Sequence, residues 1–454
     1  MKRLITLGLG VLLSLEVFAR PALAHDSWAS FQNGGQVSLD TTAPTAGTKP
    51  RWTVELAGYG QSTPVVWHSH IYVTSIEGGN KDTCHVAAYS LTDGKQLWRH
   101  AISNATPHEN NEYVSRAAPS PAADDAGVIC LFEGGNLVAL THDGKIRWER
   151  NLVVDYGAIV ARHGLAASVE QSADHVFIWM ERSEEPYVVC LKKSSGETRW
   201  KVPGVGATSW ASPRLVPVDG GQHLVLSASG SLMGLDPTDG SQLWKLEELT
   251  GNSTPTPMPL GDGKFLIGAT VGRGESGSGR AAESNGMVQI SRTADGIWKA
   301  DYVWRARRAT SSFASPIVHE GVALFVNREG VLYGLEAAAG DELFAKRLSG
   351  SSWATAIGLC NGSVLVPARD GKIDVVNGLK SDLTVTTLDP IPVAAKDKKD
   401  PVPAAGSPTN SGPPGSKAPV LYAAVVVRDS LLLRQGDRLI CLALNSDDTA
   451  VSAP

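Results

Sequence analysis

The sequence predicts an all-β fold, an eight-bladed β-propeller of four-stranded antiparallel blades. Three observations lead there. One phrase recurs every few tens of residues: a small residue and an apolar one lead into a Gly turn, and an aromatic follows four residues after the Gly. Its cleanest copies are residues 88–98 and 234–244, and elsewhere Gly144 precedes Trp148, Gly196 precedes Trp200 and Gly340 precedes Phe344. A period of this length marks stacked supersecondary units. Ser/Thr-Pro marks recur as well, at Thr63-Pro64, Ser120-Pro121, Ser212-Pro213, Thr254-Pro255 and Ser315-Pro316. Weaker starts at Ser168, Thr355 and Ala418-Pro419 bring the count to eight. Proline suits the first residue of a strand, where no ladder bond is lost. The closing aromatics also make eight with Leu383: Trp52, Trp98, Trp148, Trp200, Trp244, Trp304 and Phe344. They run one strand out of phase with the starts. The simplest closure pairs residues 51–56 onto the last unit, which hides the sheet edges.

In chain order, residues 1–24 read as a cleaved secretory signal. Lys2 and Arg3 precede an apolar run, and Ala22-Leu23-Ala24 is a small-x-small cleavage site. No Cys follows the run, so no lipid anchor is expected and the protein is read as secreted or periplasmic. No later segment is long and apolar enough to span a bilayer. An N-terminal extension covers 25–50, the propeller 51–444 and a tail 445–454. Without residues 1–24 the chain keeps 38 basic and 45 acidic residues, a net charge of −7. That balance, with no basic tract, argues against nucleic acid. The five Cys are odd in number. Cys190 and Cys441 fall in a slot that holds Ala88, Gly234 or Gly334 in other copies, so they act as small hydrophobes. Cys84, Cys130 and Cys360 are expected as buried free thiols.

Residues 314–348 show one unit. The strands are 314–318, 322–326, 331–335 and 342–346, β-branched or aromatic runs punctuated by Gly, Asn and Asp. Helical periodicity is weak throughout. In a propeller, the second-to-third turns and the links between blades share one face. Here that face takes every long insertion: 77–84, 101–116, 151–164, 182–186, 271–286 and 389–417. The last lacks aromatics and is expected to be disordered. Long loops on a rigid scaffold are where binding concentrates. Where blade links turn into the channel stand Gln61, Trp210, Asn252, Phe313 and Trp353, with Arg116 close by. They predict an aromatic and polar collar at the channel mouth, suited to flat ligands, sugar faces or peptide side chains.

The repeat Ala-x-Asp-x-x-Thr-Gly-x-x-x-Trp, best matched at 234–244, and the opening Trp28-Ala29-Ser30-Phe31 resemble the PQQ-like eight-bladed propeller family, quinoprotein dehydrogenase-like and BamB-like. The resemblance covers 51–444. It implies that the repeat Trp docks between neighbouring blades, as structure rather than ligand contact. A quinoprotein dehydrogenase needs a quinone, commonly over a vicinal disulfide, and a Ca²⁺ ligand set. No two Cys are adjacent here, and no Cys-x-x-Cys-His attaches haem. The expected protein is therefore a non-catalytic, monomeric scaffold without cofactor, holding a protein or glycan partner in the cell envelope. The alternatives are a PQQ- and Ca²⁺-dependent alcohol or sugar dehydrogenase and a carbohydrate-binding propeller. His68-Ser69-His70 lacks a third metal ligand. The loop acids Glu109, Glu112 and Asp155 read as solvated charges.

Overall fold

A computed structural model of the chain describes residues 26–39, 41–44, 48–110, 114–161, 163–206, 210–228, 230–271, 279–388 and 420–444. The expected signal segment, the 389–417 insertion, the 445–454 tail and Glu112 lie outside the described residues. Among the described residues eight sheets form a ring; six run in chain order, and the seventh does so with one short parallel strand added at its inner edge. Blade one is Val65–Trp67, His70–Glu77, Thr83–Ser90 and Gln96–Ser103; blade six is Ile317–His319, Val322–Val326, Val331–Glu336 and Glu342–Arg347. The eighth holds Leu421–Val427, Ser430–Gln435 and Arg438–Ala443, and is completed by Pro50–Glu55 on Arg438–Ala443. One chain end thus seals the other, and no blade is left as an open edge of the ring.

Second and third strands are buried along nearly their whole length, while fourth strands alternate, as in Gln96–Ser103 and Thr198–Pro203. The small-residue slot faces the closing aromatic across strands three and four. Ala88 pairs with Trp98, Cys190 with Trp200, Gly234 with Trp244, Gly334 with Phe344 and Cys441 with Trp52. A Cβ on Gly234 would stand 2.1 Å from the Trp244 ring, so the slot is sterically defined. Cys84, Cys130, Cys190 and Cys441 are buried free thiols, but Cys360 is exposed, because it begins a turn just outside strand Ile357–Leu359.

Five indoles grip the neighbouring blade. Trp52, Trp98, Trp148, Trp200 and Trp304 donate Nε1–H to the carbonyls of Leu91, His142, Lys193, Pro237 and Ala337, at 2.8–3.2 Å. Each ring lies on the Gly that closes that turn. A Cβ on Gly94, Gly144, Gly196, Gly240 or Gly340 would meet it at 2.6–2.8 Å, and all five have φ between +70° and +84°. The repeat therefore couples a left-handed turn to a flat ring that tolerates no side chain there. Trp244 departs from this pattern. Its Nε1 donates to His223 Nδ1 of its own blade at 3.0 Å, and its ring stacks on Phe265 of blade five.

The unit-start hydroxyls form a belt. The backbone N–H groups of Thr63, Ser120, Ser168, Ser212 and Thr256 donate in turn to the hydroxyls of Ser120, Ser168, Ser212, Thr256 and Ser315, at 2.8–3.0 Å. Each buried N–H that no sheet ladder claims is satisfied by the next blade. The belt corrects one assignment: blade five starts at Thr256, not Thr254, because of two tandem Thr-Pro pairs only the second meets Ser212. Short helices also stand where none was expected, Leu152–Tyr156, capped by the Asn151 side chain, and Gly279–Ser284.

Candidate functional site

The central channel holds the N-terminal extension. Asp26 pairs with Arg428 and Ser27 with the His68 amide, both in short-loop turns. From there the chain enters the ring. Trp28 exchanges two backbone bonds with Val66 of blade one, and the Ala29 carbonyl accepts from Ala123 of blade two. Gln32 then turns inward. Its amide donates to Ser315 and Thr355 at 2.8 Å each, and its oxygen accepts from Arg214 at 3.1 Å. Arg214 in turn pairs with the buried Glu170. Val37 accepts from Gly358, and Ser38–Leu39 adds a short parallel strand to the inner edge of blade seven. Gln32, Asn33, Gly34 and Gly35 all have positive φ, a strained turn that its contacts across the ring hold in place. Trp28 and Gln32 are 2% and 4% exposed. This segment is a plug, and its Trp28 and Phe31 are the Trp-x-x-Phe residues.

Above the plug, towards the long loops, lies a shallow dish. Trp28, Phe31, Gln32 and Val37 form its floor, and Phe313, Trp353, Thr355 and Tyr422 its wall. Its volume is about 40 Å³. Small-molecule sites usually enclose roughly 300–1,000 Å³. Among the described residues the lining of this dish holds no carboxylate.

Of the predicted collar, the structure brings together Phe313, Trp353, Gln61 and Arg116. The Phe313 and Trp353 rings lie 4.8 Å apart, Trp353 and Tyr422 5.6 Å, Tyr422 and Tyr59 6.0 Å, with the two Tyr hydroxyls 2.7 Å apart. Gln61 and Arg116 clasp each other, since the Arg116 N–H donates to Gln61 Oε1 and the Gln61 N–H to the Arg116 carbonyl. The Arg116 guanidinium lies 3.7 Å over Tyr59, and that of Arg369 4.9 Å over Trp353. Trp210 stands apart, its ring against His163. Asn252 is not a collar residue. It is fully buried, and its amide serves Ser227, Ala228 and Ser231 while its oxygen accepts from Gly230. The misplaced Thr254 start put it there. Tyr59, Tyr422 and Arg369 went unrecognised because they flank the unit starts at no fixed spacing.

Arg116 is positioned from both sides. The buried Lys81 ammonium donates to the Ser115 carbonyl, to His108 Nε2 and to Glu133, and the Glu133 carboxylate accepts the Ala117 N–H. Burial lowers the Lys81 pKa and raises that of Glu133, and each partner opposes the shift in the other. This pair ties the long loop 78–82 to the link carrying Arg116. The other loop acids are separate: Asp155 pairs with Arg150, and Glu109 is exposed. His70 lies beside Tyr72 and His142, and among the described residues no three His, Cys, Asp or Glu side chains are grouped to hold a metal.

The family described as "Outer membrane protein assembly factor BamB" matches residues 32–158 and 154–296. A protein of that description from Salmonella typhimurium is 25% identical over 214 residues, 47% of this chain. The match spans about half, 48%, of that relative's length. BamB from Moraxella catarrhalis superposes with a TM-score of 0.55 at 12% identity, covering 87% of this chain and 99% of that one. A europium-containing methanol dehydrogenase superposes with a TM-score of 0.59 at 10% identity, covering 92% and 98%. These two likenesses show the shared fold alone. The family match takes in more than half of the sequence, and the chain belongs to the family of outer membrane protein assembly factor BamB.

Proposed function

We propose that this chain is a non-enzymatic, periplasmic propeller of the cell envelope that docks a protein partner on its long-loop face, at the aromatic dish. The plugged channel carries the reading: with Gln32 and Trp28 filling the centre, the dish is too shallow for a cofactor but suits one or two protruding side chains. Family membership supports a protein partner, since the relatives are described as assembly factors. A glycan is the second reading, favoured by the ring of Phe313, 40% exposed beside the half-buried Trp353.

Photocrosslinkers installed at Phe313 and Trp353, and at the outer-strand Leu343 as control, test it in native envelopes. Discrete protein adducts at the dish and none at Leu343 support protein docking. Adducts equal at all three positions count against it. Tight uptake of PQQ with Ca²⁺, followed by dye-linked alcohol oxidation, would replace it with the dehydrogenase reading.

A further inference from the structure

Beside the dish, Arg116 and Arg369 lie against its aromatic arc without an ion pair of their own among the described residues, whereas Arg150, Arg214, Arg308 and Arg428 each have one. The Arg116 Nε is buried and unpartnered. Both guanidiniums lie on the aromatics of one continuous arc, Phe313, Trp353, Tyr422 and Tyr59. A guanidinium lying on a ring still presents its N–H edge to a carboxylate. The three ring-to-ring steps from Phe313 to Tyr59 are 4.8, 5.6 and 6.0 Å, so the arc spans no more than a short extended segment of about five residues.

From this arrangement we infer that the dish recognises an acidic segment of a partner protein, one apolar or aromatic side chain seated over Phe31 and Trp28 between carboxylates that meet Arg116 and Arg369. The inference rests on the docking reading above and names the partner's chemistry. The chain as a whole is acidic, with a formal charge of −5, so the discrimination is local to this mouth. A basic segment would place its cations against two guanidiniums. A purely apolar one would leave them unpaired in a partly desolvated contact.

The test uses the purified protein and fluorescein-labelled heptapeptides with a central tryptophan flanked by aspartate, asparagine or lysine, read by anisotropy at low and high salt. The aspartate probe is expected to bind about tenfold more tightly than the asparagine probe, with the gap closing at high salt. Arg369→Gln should roughly halve the gap on a logarithmic scale while leaving the asparagine probe unchanged, and Trp353→Ala should weaken both. Arg116→Gln should act like Arg369→Gln; Arg369 lies outside the Lys81–Glu133 anchor, so its variant stands even if Arg116→Gln disturbs the loop. Equal binding of aspartate and asparagine probes, or a lysine probe that binds best, overturns the acidic assignment. If Trp353→Ala still weakens binding in that case, the docking reading survives. If no probe binds while protein adducts form at Trp353, the chemistry named here is wrong and the docking surface is not.

Discussion

Two glycines at the same turn position separate backbone strain from blade docking. Gly196 and Gly296 have φ of +72° and +79°, so an alanine at either is strained by about 1 kcal/mol. They differ in what a Cβ meets. At Gly196 it would stand 2.7 Å from Trp148 of the preceding blade; at Gly296 nothing lies within 4 Å, because Trp244 turns to His223 instead. Trp148 cannot retreat cheaply, since its Nε1 is bonded to the Lys193 carbonyl in the same turn. Overpacking a fixed ring adds about 1–3 kcal/mol. Gly196→Ala is therefore expected to lose about 2–4 kcal/mol and Gly296→Ala about 1 kcal/mol. Urea unfolding of both variants beside the parent reads the difference. In a Trp148→Ala background the steric part should vanish, and Gly196→Ala should cost only its strain. Equal losses for the two glycine variants in the parent, or an undiminished loss in the Trp148→Ala background, would refute the docking argument.

Gln32→Ala should destabilise the protein by about 1–3 kcal/mol, because it removes bonds to Ser315, Thr355 and Arg214 at once, and limited proteolysis should then cut near residue 32. A fully resistant N-terminal segment would show that the plug holds without it. Glu133→Ala should cost about 3–5 kcal/mol by leaving the Lys81 charge buried without its carboxylate, measured by thermal and urea unfolding. Burial pushes the pKa of His223 below the ordinary imidazole value, and its Nδ1 accepts from Trp244. A depressed folded pKa means that its contribution is complete above about pH 6.5 and is lost as pH falls below it. His223→Asn should therefore flatten the melting-temperature profile on the acid side of that value. An unchanged difference from the parent between pH 5 and 7.5 would count against it.

The fold was legible because its signals are local and repeated. A Gly turn, a small slot and an aromatic four residues on each act within one hairpin or against the adjacent blade, so eight noisy copies reinforce one another. Closure by 50–55 followed from a phase difference between two such series. The site is different in kind. Phe313 and Trp353 share the unit-start spacing, which is why both were expected at the channel mouth, and their rings do lie together. Asn252 was misplaced because Thr254-Pro255 and Thr256-Pro257 offer the same local chemistry, and only the Ser212 amide, 44 residues away, chooses between them.

The plug was beyond any periodic argument. Gln32 meets Arg214, Ser315 and Thr355, partners 182 to 323 residues distant, and nothing in residues 28–39 repeats. A lone glutamine in a Gly-rich stretch reads as a loop. Yet it stands in the centre of the ring, 4% exposed. With Gln32 bonded to Ser315 and Thr355, and Trp28 and Phe31 laid over the centre, what remains is a dish with an aromatic wall, flanked by the guanidiniums of Arg116 and Arg369. On the docking reading proposed above, the segment before the first repeat turns a channel into a surface for a partner. That reading directs the search to molecules that present side chains to the dish, and uptake of a cavity-filling cofactor would overturn it.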